Sequence, residues 1–132
     1  MDAEALAVKQ RYERFARTEV GNRSALYLQW AEGIASDPST CALLARIPAT
    51  RRQPPLVFAV TRILGAPEST YAEWALWLAE HVDDVIAQCR IRSLQTNEPL
   101  RCAALLPALS QISGPIALLE IGASAGLCLY PD

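Results

Sequence analysis

Histidine is almost missing from this chain: among 132 residues there is one, His81. A serine nucleophile of the usual kind needs an imidazole base held by a carboxylate, so any such chemistry would have to run through that residue. An excess of one charge is also lacking. Twelve basic and fourteen acidic side chains leave a net charge of −2, which gives no reason to expect a nucleic-acid partner. No apolar run approaches the ~20 residues of a membrane-spanning helix. The opening Met-Asp-Ala-Glu-Ala-Leu has acids where a signal peptide has bases. The expectation is a cytoplasmic chain with neither membrane nor nucleic acid as partner. Cysteine is sparse and scattered: Cys41, Cys89, Cys102 and Cys128 form no Cys-x-x-Cys pair, and most lie among apolar neighbours. Buried free thiols are expected, and no metal site. Internal repeats and low-complexity tracts are absent too.

What is present is apolar, at 52% of residues, enough for one real core. A first helix is expected from about Ala3 to Val20, with Ala5, Val8, Tyr12, Phe15, Ala16 and Glu19 on one face and Gly21-Asn22 as its stop. The opposite face, Lys9, Arg11, Glu13, Arg14 and Arg17, reads as solvated rather than as a binding patch. Ser24 can cap a second helix that turns Tyr27, Trp30 and Ile34 inward. Asp37-Pro38 supplies an N-cap and a first-turn proline for a third, ending before Pro48. Ala49 to Pro55 reads as a connector, and Leu56 to Leu64 as an apolar helix ended by Gly65-Ala-Pro67. Thr70-x-x-Glu73 has the form of a capping box. It opens a long helix whose stripe of Trp74, Trp77, Leu78, His81, Val82, Val85 and Cys89 makes it the expected centre of a bundle. His81 lies near Glu80 and Asp84 in sequence, which is compatible with a metal or acid-base role. A packed or hydrogen-bonded histidine is the reading a mostly apolar face favours.

The polar run Arg90 to Arg101 admits two readings. Gln95, Thr96, Asn97, Glu98 and Arg101 could form a shelf for a substrate or cofactor, with a guanidinium for a carboxylate or phosphate. They are equally ordinary entry residues for a helix from Leu100 to Ile112. Beyond Gly114-Pro115, Ile116 to Ile121 reads as a buried strand, the one convincing strand in the chain. It breaks into a turn bracketed by Gly122 and Gly126. The pattern Glu-x-Gly-x-Ser-x-Gly, from Glu120 to Gly126, is similar to the first motif of S-adenosylmethionine-dependent methyltransferases, with Ser124 where a middle glycine is commoner. In that reading the loop amides and the following helix start face the cofactor, and the glycines keep side chains out of its way. The same residues also spell Gly-x-Ser-x-Gly, the nucleophile elbow of α/β-hydrolases, with Ser124 as nucleophile. The bland alternative is a glycine turn that merely ends a strand.

Three blocks together resemble a bacterial family catalogued as domain of unknown function 2332. They are Arg52-Gln-Pro-Pro-Leu-Val-Phe-Ala59, Gln95-Thr-Asn-Glu-Pro-Leu-Arg-Cys-Ala-Ala-Leu-Leu-Pro107 and Leu118-Leu-Glu-Ile-Gly-Ala-Ser-Ala-Gly-Leu127. Cys128 departs from the asparagine that similar sequences tend to carry. The resemblance implies a helical N-terminal region followed by a methyltransferase-like α/β domain. The expected fold is therefore mainly α: a helical bundle over 1–113, then, over 114–132, the first strand of an incomplete Rossmann-like domain. Since Asp132 is the last residue, the reading expects an N-terminal part of something longer, inactive as it stands. The expected cofactor is S-adenosylmethionine, held by Glu120, Gly122, Ala123, Ser124 and Gly126 beside the 95–101 shelf, with a small molecule as partner and no catalytic base named. A lone strand cannot satisfy its own backbone. It must pair with another chain, pack as an irregular tail or stay partly disordered. The competing expectation is thus a non-catalytic helical interaction module, a homo-oligomer joined through that strand.

Overall fold

A computed structural model describes residues 1–94, 101–119 and 121, without the side chains of Arg101 and Cys102. The described residues are mainly helical, with six α-helices and no strand. The chain divides into two compact units, Met1–Ser93 and Leu94–Asp132. These are units of compactness, whereas the boundary expected at 113/114 is one of fold type.

In the first unit, helices begin where free amides find an acceptor. Helix α1 (Ala3–Thr18) is capped by Asp2, whose carboxylate accepts from Ala5 N at 2.7 Å. Ser24 accepts from Tyr27 N at 3.1 Å to open α2 (Ala25–Ala35). Asp37 accepts from Ser39 N and Thr40 N, at 2.9 and 3.2 Å, to open α3 (Pro38–Ala45). Thr70 accepts from Glu73 N at 3.4 Å to open α5 (Tyr71–Ile91). Helix α4 (Pro54–Ile63) solves the problem differently. Gln53 makes no side-chain cap, and Pro54 and Pro55 sit in the first turn, where two amides that would need partners do not exist. The prolines read as part of a connector therefore start the helix instead, and the connector shrinks to a 3₁₀ turn at Ala49–Arg51 and two residues. Gly21 and Gly65 take positive φ, +49° and +99°, and end their neighbourhoods of helix as only glycine does without strain.

The first helix stops two residues short of the expected Val20. Glu19 N and Val20 N both turn back to Phe15 O at 3.0 Å, which tucks Val20 into the core beyond the helix end. Glu19, expected on the inner face, is exposed and pairs with Arg11 at 2.7 Å. Tyr27 is half-buried, while Trp30 and Ile34 are fully enclosed.

The centre of the unit is α4 rather than α5. Pro54, Leu56, Val57, Phe58, Val60 and Thr61 are all buried, more than one face of a helix can account for, so α4 has neighbours on several sides. The Phe58 ring lies among those of Tyr12, Phe15, Tyr27, Trp30 and Trp74, with centroids 4.8–6.1 Å away. Helix α5 buries Trp74, Leu78, Val82, Val85, Ile86 and Cys89, but Trp77 and His81 sit at the half-buried edge of the expected stripe. Its buried indole is satisfied: Trp74 Nε1 donates to Thr61 Oγ1 at 3.1 Å.

In the second unit, α6 (Arg101–Leu109) carries Pro107 inside it and ends in a turn, so it is shorter than the stretch expected to reach Ile112. Gly114 takes φ +85°. Ile116–Leu119, expected to be a strand, is neither helix nor strand. Strand status requires a ladder of backbone bonds to a neighbour, and no neighbouring strand is formed among the described residues. None of residues 103–119 is buried, in contrast to the dense core of the first unit.

Candidate functional site

Of the residues expected to carry chemistry, Gln95, Thr96, Asn97 and Glu98 of the shelf lie outside the described residues. So do Glu120, Gly122, Ala123, Ser124 and Gly126 of the glycine turn. Arg101 is described only as the first residue of α6. Polar groups that the described residues bring together belong to the helical unit.

His81 is packed. Its ring stacks on Trp77, one turn earlier, with centroids 4.3 Å apart and planes 7° from parallel, and Nδ1 lies 2.8 Å from Trp77 O. One ring nitrogen is thus engaged with a backbone carbonyl rather than with a carboxylate. Among the described residues no group of three histidine, cysteine, aspartate or glutamate side chains could hold a metal ion. The thiols of Cys41 and Cys89 are free and buried, as their apolar neighbourhoods implied. Cys41 Sγ donates to Ile34 O at 3.2 Å, and burial raises its pKa. Burial pushes the Cys89 thiol up to about 11. Both are far from the thiolate state that reacts. Cys128 and the Cys102 side chain lie outside the described residues.

The densest polar arrangement is one that the sequence only half announces. Asp37 is legible as a helix cap, yet its carboxylate also accepts from Thr40 Oγ1 and from the Tyr71 hydroxyl, each at 2.8 Å. Tyr71 comes from the start of α5, and its ring lies so close to Gly33 of α2 that any β-carbon there would overlap it. Helices α3 and α5 therefore meet at one carboxylate, with α2 against the Tyr71 ring. Partial burial would raise the Asp37 pKa, but the hydrogen bonds from Tyr71, Thr40 and Ser39 outweigh it and hold the group below its ordinary value. Burial raises the pKa of the Tyr71 phenol, and the neighbouring Asp37 charge adds to the rise. With four donors on two oxygens, the carboxylate has its acceptor positions filled and is poorly placed to take a proton from a substrate. It is a fastening. No local signal could have found Tyr71, because it lies 34 residues from Asp37. Asp37, Ser39, Thr40 and Tyr71 of this junction also line an open groove of about 480 Å³, together with Leu43, Ala72, Ala75, Leu76 and Ala79; the Asp37 carboxylate there is already engaged by its neighbours. A second open cleft, of about 760 Å³, is lined by Lys9, Glu13, Arg17 and Glu32, charges of both signs that largely cancel.

The block Arg52 to Ala59 also resolves into packing. Arg52 donates to Ala45 O, at the last residue of α3, and to Ile47 O just past it, at 3.3 and 3.4 Å, and to Glu4 of α1 at 2.6 Å. Its prolines open α4, and Phe58 fills the aromatic centre.

A family model described as "Uncharacterized protein conserved in bacteria (DUF2332)" matches residues 9–132. No curated protein and no solved structure matches the chain. No helix among the described residues is long and apolar enough to cross a membrane.

Proposed function

We propose, for a chain that belongs to this uncharacterised bacterial family, that it forms the helical N-terminal part of a cytoplasmic S-adenosylmethionine-dependent methyltransferase, with the α/β domain beginning at 114. The observation that carries the reading is the ordered pattern Glu120-x-Gly122-x-Ser124-x-Gly126, directly after the apolar run Ile116–Leu119. Such a run followed by a glycine-bracketed turn is what a nucleotide-binding strand and loop require: apolar faces for a sheet, then backbone amides free of side chains for the ligand. In this reading Glu120, Gly122, Ala123, Ser124 and Gly126 line the cofactor. Gln95, Thr96, Asn97, Glu98 and Arg101 orient a small acceptor, and the cofactor supplies the methyl group.

One observation favours a second reading, that of a self-associating helical module. Leu105, Leu106, Ile112, Ile116, Leu118 and Leu119 are all exposed, Leu119 at 91%, so this apolar surface has yet to be covered. The readings differ in the cover: a sheet of the same domain, or a second copy. The test is titration with S-adenosylmethionine of a family member in which the motif is followed by further strands and helices. Binding is expected, abolished by valine at the position of Gly122 and only weakened by alanine at that of Ser124. A fluorophosphonate probe that labels the Ser124 position, with ester turnover lost on its replacement, would instead support hydrolase chemistry. A folded protein that neither binds nor labels, and that dimerises, leaves the module.

A further inference from the structure

We draw no further inference here: the strongest candidate, the exposed apolar surface of Leu105, Leu106, Ile112, Ile116, Leu118 and Leu119 in the C-terminal unit, carries nothing beyond the two readings above because nothing in the structure shows what covers it.

Discussion

Replacing Phe58 by alanine removes the ring around which the helical unit is packed. Phe58 has no exposed surface, and rings from α1, α2 and α5 surround it, Tyr27 nearest at 4.8 Å and Phe15 farthest at 6.1 Å between centroids. Truncating a buried phenylalanine costs about 3–5 kcal/mol, part of it lost transfer energy and part the cavity left behind. Edge-to-face pairs with Tyr12, Phe15, Trp30 and Trp74 are lost as well. Such pairs are worth ~0.5–1.5 kcal/mol each beyond their area and do not add simply. The expectation is therefore the upper part of that range, about 4–5 kcal/mol. A domain this size is stable by only ~5–15 kcal/mol. At ~4–8 °C per kcal/mol, the melting temperature should fall by at least ~15 °C. Urea denaturation followed by the fluorescence of Trp30, Trp74 and Trp77, with far-ultraviolet circular dichroism beside it, measures the loss. Ile63→Ala is the control: it lies on the same helix, is 62% exposed, and should stay within ~0.5 kcal/mol. A loss below about 1 kcal/mol for Phe58→Ala, or equal losses for the two variants, would refute the placing of α4 at the centre.

Three further outcomes are expected. Tyr12→Phe should leave stability unchanged or raise it by ~1 kcal/mol, because the buried hydroxyl has no hydrogen-bond partner among the described residues; a loss of 1 kcal/mol in urea denaturation would mean that it has one. Asp37 is held below its ordinary pKa, so its carboxylate stabilises the fold fully above the usual carboxylate range and progressively less as pH falls through the folded value. The stability advantage of the native chain over Asp37→Asn should accordingly be present at pH 7 and shrink below about pH 4, and a pH-independent difference would count against the junction. A chain ending at Ser93 should unfold cooperatively with a helical spectrum, since every buried residue named in the core lies before it; a non-cooperative melt would show that the unit is not self-sufficient.

The helix starts at Ser24, Asp37 and Thr70 are legible because a cap and its amide lie two or three residues apart, and the same local chemistry governs the isolated sequence and the folded chain. The centre is less legible. The broad stripe on α5 and the nearly continuous apolar surface of α4 both read as buried, and only the assembled neighbours decide that Trp77 lies at an edge while Phe58 lies inside. Asp37 and Tyr71 fail for the same reason, since no period connects residues on different helices. Ile116–Leu119 fails differently: its composition suits a strand, but a strand is a relation between two segments, and its own residues specify only one of them.

The same contrast separates the three family blocks by role. In Arg52 to Ala59 the guanidinium is used by carbonyls and Glu4, the prolines by a helix start, and the phenylalanine by the core, so each group has a structural use and no ligand is needed to account for it. Ala103 to Leu106 of the second block and Leu118 and Leu119 of the third are exposed, with no core to fill in the described chain. A block explained by packing has little chemistry left to offer, whereas residues without such a use must find it elsewhere. Mutations at Arg52 or Phe58 should therefore act through stability, read as a lower urea midpoint with the helical spectrum otherwise kept.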